Sequence, residues 1–159
     1  MSNLLKVGLL LAAGTMANAA MAQDSGVSVE KGARIAIIGG CHDCHTVGYG
    51  ETNGKIDPAA ALTGNPVGYN GPWGTSYAVN LRLVAAGKSE DEWVKYLQTF
   101  DAAPPMPWFN VHALDESEMR SLYQYIVSLG DPGKPAPEAL PPGEKPKTPY
   151  IVFAPPTMP

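Results

Sequence analysis

The chain has 159 residues, 45% of them hydrophobic, with 11 Lys and Arg against 15 Asp and Glu and a formal net charge of −4. Such a length fits one ordinary domain, and the balance of apolar and charged residues is that of a folded globular protein rather than a disordered one. A mildly acidic surface argues against nucleic acid as a partner and suits docking to a basic patch on another protein.

The opening stretch, MSNLLKVGLLLAAGTMANAAMAQ, passes from a single Lys6 through the apolar run Val7 to Ala13 into small residues ending Ala20-Met21-Ala22. This pattern predicts a secretory signal peptide over residues 1–22, cleaved after Ala22, and hence a periplasmic mature chain. The apolar run falls short of the ~20 residues that a membrane-spanning helix needs. Cleavage removes one cation and no acid, taking the charge from −4 to −5.

Ser28 can cap a first helix whose apolar residues Val29, Ala33, Ala36 and Ile37 recur at helical spacing, with Gly39-Gly40 ending it. Residues 46–75 are rich in Gly, Pro, Asn and Thr and show no sustained period, so they read as a long loop. A loop of that length inside one domain is unusual unless it wraps something large. A short helix is expected from about Ser76 to Ala86, stopped by Gly87. Ser89 and Glu92 then form a capping box ahead of an apolar face of Trp93, Tyr96, Leu97 and Phe100.

Ala103-Pro104-Pro105-Met106-Pro107-Trp108 cannot be helical, because its prolines fix φ and remove backbone donors. It reads as a stiff strap that presents Met106. Asp115 and Glu118 open the last helix in the same capping style, with a buried stripe of Leu122, Tyr125, Ile126 and Leu129 and a stop at Gly130 and Pro132. No β-rich segment is apparent, so the expected fold is all-α, about four helices in a domain spanning residues 23–130. Residues 131–159 form a Pro-rich extension that favours extended chain. Its apolar end, Tyr150 to Phe153, either docks back on the domain or stays loose.

The two cysteines of the chain, Cys41 and Cys44, are followed at once by His45. The spacing C-x-x-C-H suits thioether bonds from both sulfurs to the vinyl groups of one haem, with the imidazole reaching the iron. A thioredoxin-like pair would want a βαβ pattern, a zinc site would have to recruit His42 and the remote His112, and a structural disulfide explains neither His45 nor the long loop. One covalent haem c is therefore expected on Cys41, Cys44 and His45. On the opposite face of the iron a thioether sulfur would raise the potential. Met106 on the strap is the leading candidate, against His112, an open position, or Met119, which sits at helical spacing and reads as core filling. Met158 lies in the tail. His42 is expected to face solvent, and Trp73, Tyr77 and Arg82 either line the haem or are ordinary core aromatics and a surface arginine.

From Ala33 to Leu129 the chain resembles class I cytochrome c domains, especially those in the cytochrome subunits of periplasmic alcohol and sugar-acid dehydrogenases. The residues that carry the resemblance are Gly32, Cys41-His42-Asp43-Cys44-His45-Thr46, Leu62-Thr63-Gly64, Asn80-Leu81, Trp93, Met106-Pro107-Trp108 and Tyr125-Ile126-Val127-Ser128-Leu129. The resemblance implies that the first helix crosses the last, with Gly32 approaching Tyr125 closely, and that Met106 is the axial ligand. The function expected is one-electron transfer from a dehydrogenase or a quinol-oxidising complex to an oxidase or another cytochrome, with no organic substrate. The alternative is a haem enzyme or a gas or peroxide sensor with an open or labile sixth position.

Overall fold

The computed structural model describes residues 26–157, so residues 1–22 and Met158 lie outside the described residues. Within it the elements run α1 (Val29–Ile38), α2 (Cys41–His45), β1 (Gly68–Gly71), β2 (Gly74–Tyr77), α3 (Leu81–Ala86), α4 (Glu90–Thr99), α5 (Trp108–His112), α6 (Glu116–Ser128) and β3 (Tyr150–Val152). Among the described residues no helix is long and apolar enough to cross a membrane.

The helix starts follow local chemistry. Ser28 Oγ accepts from Lys31 N, and the Ser89/Glu92 and Asp115/Glu118 capping boxes are both complete. The core gathers on α1, α4 and α6: Ile35, Ala36, Trp93, Leu97, Met119, Leu122 and Ile126 are all buried, and Trp93 Nε1 donates to the Met119 carbonyl at 3.1 Å. Met119 is therefore core filling. The buried face of α1 is turned from the expected one and consists of Gly32, Ile35 and Ala36, while Val29 and Ile37 are exposed. The cause is the crossing with α6. A Cβ on Gly32 would stand 2.0 Å from the Ser121 carbonyl oxygen and 2.7 Å from Tyr125 Cβ, so this face is chosen by backbone approach rather than by side-chain size. Ser28 N–H to Ser121 Oγ (3.2 Å) and Lys31 Nζ to Ser117 Oγ (2.6 Å) flank the contact.

The expectation of an all-α fold is corrected by a small three-stranded sheet, in the order β2-β1-β3. β1 and β2 form an antiparallel hairpin with Tyr69 opposite Ser76 and Gly71 opposite Gly74, turned by Pro72-Trp73. Strand β2 occupies the start of the helix expected from Ser76. The helix itself begins only at Leu81, capped by Asn80, whose Oδ1 accepts from Arg82 N (3.0 Å) and Leu83 N (3.2 Å). The hairpin strands have four residues each, too short for an alternating pattern to stand out from a loop.

The third strand comes from the extension and runs parallel to β1, with Tyr150 opposite Gly68 and Ile151 opposite Tyr69. The apolar end of the extension is thus docked, and the extension stays against the domain along its way there. Asn80 Nδ2 donates to the carbonyls of Pro132 (2.5 Å) and Lys134 (2.9 Å). Thr75 and Leu140 exchange both backbone hydrogen bonds at 2.9 Å, and the Tyr77 hydroxyl meets Thr148 Oγ1 at 2.8 Å. Gly74, at φ +100°, is required here, since a Cβ would fall 2.1 Å from the Leu140 carbonyl oxygen.

Candidate haem site

Gly40, with φ +70°, turns the chain out of α1 and starts the five-residue α2 that carries the whole C-x-x-C-H run. Cys41 and Cys44 are half-buried free thiols. Burial pushes the Cys41 thiol up to about 11, so it is a neutral S–H group rather than a thiolate.

His45 is buried, with its Nδ1 2.7 Å from the Val79 carbonyl oxygen. A carbonyl only accepts, so Nδ1 carries the hydrogen and the Nε2 lone pair is left for a metal. Desolvation lowers the pKa of the imidazole and keeps it neutral, the form that binds a metal. The main chain around it is tied as well. The His45 carbonyl accepts from Gly64 N at 2.9 Å, and Thr46 Oγ1 accepts from Leu62 N at 2.9 Å. Leu62 is fully buried at φ +57°, a region costly for a branched side chain, and is held there from both sides, since its carbonyl accepts from Leu81 N at 3.0 Å.

His42 does not face solvent. It is fully buried, with Nδ1 2.8 Å from Thr46 Oγ1 and Nε2 3.4 Å from the Tyr125 hydroxyl. Because α2 is helical, His42 and Thr46 lie four positions apart on one face, which turns inward, and Asp43 takes the exposed position. His42 thereby links the attachment helix to α6, and Thr46 Oγ1, which accepts from Leu62 N, carries the link on to the 62–64 loop. Burial lowers its pKa as well.

Arg82 is neither a surface residue nor free to reach a ligand. It is 5% exposed, and its guanidinium donates to four main-chain carbonyls: Ala61 (2.7 Å), Leu129 and Asp131 (3.1 Å each), and Pro58. One cation thus clamps the loop before α3 to the end of α6 and the start of the extension. Trp73 lies tilted against Phe153 at 5.6 Å and Tyr77 bonds Thr148, so both aromatics serve the extension. His112 Nε2 donates to the Phe100 carbonyl at 2.8 Å beneath Trp108.

Met106 lies half-buried on the strap, whose turn is closed by Met106 N to Ala103 O (3.4 Å) and Trp108 N to Met106 O (3.0 Å). Two residues sequence reasoning passed over stand between the strap and the attachment helix. Tyr69 lies against Cys44, and its phenol is raised above its ordinary range by burial first and by the Cys44 side chain second. Its register partner Ser76 donates to the Pro104 carbonyl at 2.5 Å. No sequence signal marks either, because both roles come from the hairpin pairing.

Two thiols on one helical turn beside a neutral, tautomer-fixed imidazole form a donor set that fits a covalently held haem. Among the described residues no three His, Cys, Asp or Glu side chains come together to hold a metal by themselves. The cytochrome c family model matches residues 29–130, more than half of the chain. The chain belongs to the cytochrome c family. No curated protein and no solved structure matches it. As a cytochrome c it is a c-type electron carrier for redox partners, and Cys41, Cys44 and His45 supply the attachment motif for covalent haem c. In this cytochrome c the matched segment ends at Gly130, so β3 and the rest of the extension lie beyond it.

Proposed function

We propose that this cytochrome c is a periplasmic, single-haem electron shuttle, with His45 and Met106 as the two axial ligands. It would accept electrons from a dehydrogenase or a quinol-oxidising complex and deliver them to an oxidase or another cytochrome. The observation that carries the reading is His45, whose Nδ1–H is committed to Val79 while Nε2 stays free on the same helical turn as both thiols.

When bound, the haem would supply the reversible one-electron change between Fe(III) and Fe(II). The chain's part is to fix the imidazole and to hold the cofactor on a small domain through both sulfurs. The presence of only two cysteines in 159 residues supports one haem. The opening run of residues 1–22 supports export to the periplasm. The resemblance to class I domains of dehydrogenase cytochrome subunits supports a dehydrogenase as donor. A partner contact around an exposed cofactor edge would be small, brief and salt-sensitive. Among the other sulfurs, Met119 is 1% exposed inside the core, which favours Met106 on the strap. The enzyme or sensor alternative would need a spare imidazole, and His112 has its Nε2 committed to Phe100.

Optical spectra of the ferric protein test the ligand assignment. The wild type should show an iron–thioether charge-transfer band, and Met106→Ala should abolish it while Met119→Leu keeps it. A water-ligated, high-spin wild type would favour the enzyme or sensor.

A further inference from the structure

The extension beyond Gly130 reaches the Met106 strap through the hairpin. Phe153 N–H donates to the Asn70 carbonyl at 2.7 Å, and Gly68 N–H donates to the Pro149 carbonyl at 2.8 Å, closing β3 onto β1. The Phe153 ring lies 6.2 Å from Tyr69 and 5.6 Å from Trp73. Tyr69 pairs with Ser76 across the hairpin, and the Ser76 hydroxyl holds the Pro104 carbonyl, two residues before Met106. Thr75, next to Ser76, is buried and exchanges both backbone bonds with Leu140. The hairpin is therefore gripped by the extension on two sides, at Leu140 along β2 and at Tyr150–Val152 along β1, and it touches the strap by one hydroxyl.

We propose that Ser76 is a positioning residue for Met106, and that the extension, by clamping the β1–β2 hairpin, sets how readily the Met106 sulfur leaves the iron. This rests on Met106 as the axial ligand. A strap with three prolines has few internal hydrogen bonds to hold its own shape, so an external anchor at Pro104 decides where the next residues stand. Without the Ser76 hydroxyl, or with the hairpin released by loss of Phe153, the strap can swing and the sulfur competes less well with an added ligand. His45 belongs to α2 and is held by the Val79 carbonyl and the Gly64 N–H, outside the hairpin strands, so its own position should be unaffected.

The test titrates the full-length, haem-loaded ferric protein with imidazole and follows loss of the iron–thioether band, at a temperature well below unfolding. Ser76→Ala and Phe153→Ala should each bind imidazole roughly fivefold more tightly than the wild type, the effect expected from losing about one net hydrogen bond. Ser76→Thr, which keeps the hydroxyl, should restore the wild-type affinity. Met106→Ala, measured alongside, should lack the band and bind imidazole most tightly. If Met106→Ala behaves so while Ser76→Ala and Phe153→Ala match the wild type, the brace is overturned and the ligand assignment stands. If Met106→Ala keeps the band and the wild-type affinity, the ligand assignment falls and the brace with it. Tighter binding in Ser76→Ala that Ser76→Thr fails to restore would mark a general loosening and would also overturn the brace.

Discussion

The Nδ1 of His45 and the carbonyl oxygen of Val79 are 2.7 Å apart, across 34 residues of chain, and this bond fixes which nitrogen of the imidazole is free. Its acceptor is a main-chain atom, so the identity of the Val79 side chain, itself 46% exposed, is immaterial. The backbone there is held by the next residue, Asn80, which caps α3 and grips the extension at Pro132 and Lys134.

Val79→Ala should therefore leave the absorption spectrum and the unfolding midpoint of the haem-loaded protein unchanged. Asn80→Ala should cost about 1–2 kcal/mol through the lost cap and its amide bonds. Guanidinium unfolding of the two variants, followed by absorbance, makes the comparison, and an equal loss in both would contradict the backbone account.

Gly32→Ala sets two effects against each other. Alanine gains about 1 kcal/mol of helix propensity over glycine, but its Cβ would meet a backbone oxygen at 2.0 Å that cannot rotate away. Overpacking of this kind costs ~1–3 kcal/mol. The expected result is net destabilisation with α1 and α6 pushed apart, seen as a lower urea midpoint. A stabilised variant would show that the crossing is looser than described.

What the sequence made legible followed the range of the signal. The two capping boxes, the stripe on α6, the C-x-x-C-H run and the stop of the last helix just before Gly130 are written in residues a few positions apart, and they stand as read. The α1 face was misjudged because large apolar residues such as Val29 and Ile37 outweigh a glycine in any periodic pattern, although Gly32 is what the partner helix selects. Nothing in the local sequence marks the ring of His42 as buried, whereas one helical turn carries it inward to Thr46. The sheet was invisible for a different reason. β3 joins β1 from 82 positions away, counting Gly68 to Tyr150, and three or four residues per strand leave no local period to find. Tyr69 and Ser76 inherit their roles from that pairing.

Acid should expose His42. Its folded-state pKa is lowered by burial below the ordinary value of 6.5, so the unfolded chain takes up a proton that the folded chain refuses. Stability is fully present above about pH 6.5 and is lost as pH falls from there to the lowered folded value. The carboxyls of Glu92, held low by its hydrogen bonds from Ser89, and of Asp115, held low by the Ser117 hydroxyl and then the Glu118 N–H, have ordinary values of 4.5 and 3.8 and add their loss only at lower pH. Urea midpoints at pH 7 and pH 5 should thus differ in the wild type and differ less in His42→Gln. An unchanged slope in His42→Gln would contradict the burial of this ring.

The measurement closest to the centre of this account is the mass of the mature chain isolated from its native host, combined with extraction by acid and organic solvent. The expected mass is that of the processed chain plus one haem, with the pigment remaining on the protein after extraction. A chain without that added mass, or a pigment that the solvent carries away, would contradict it.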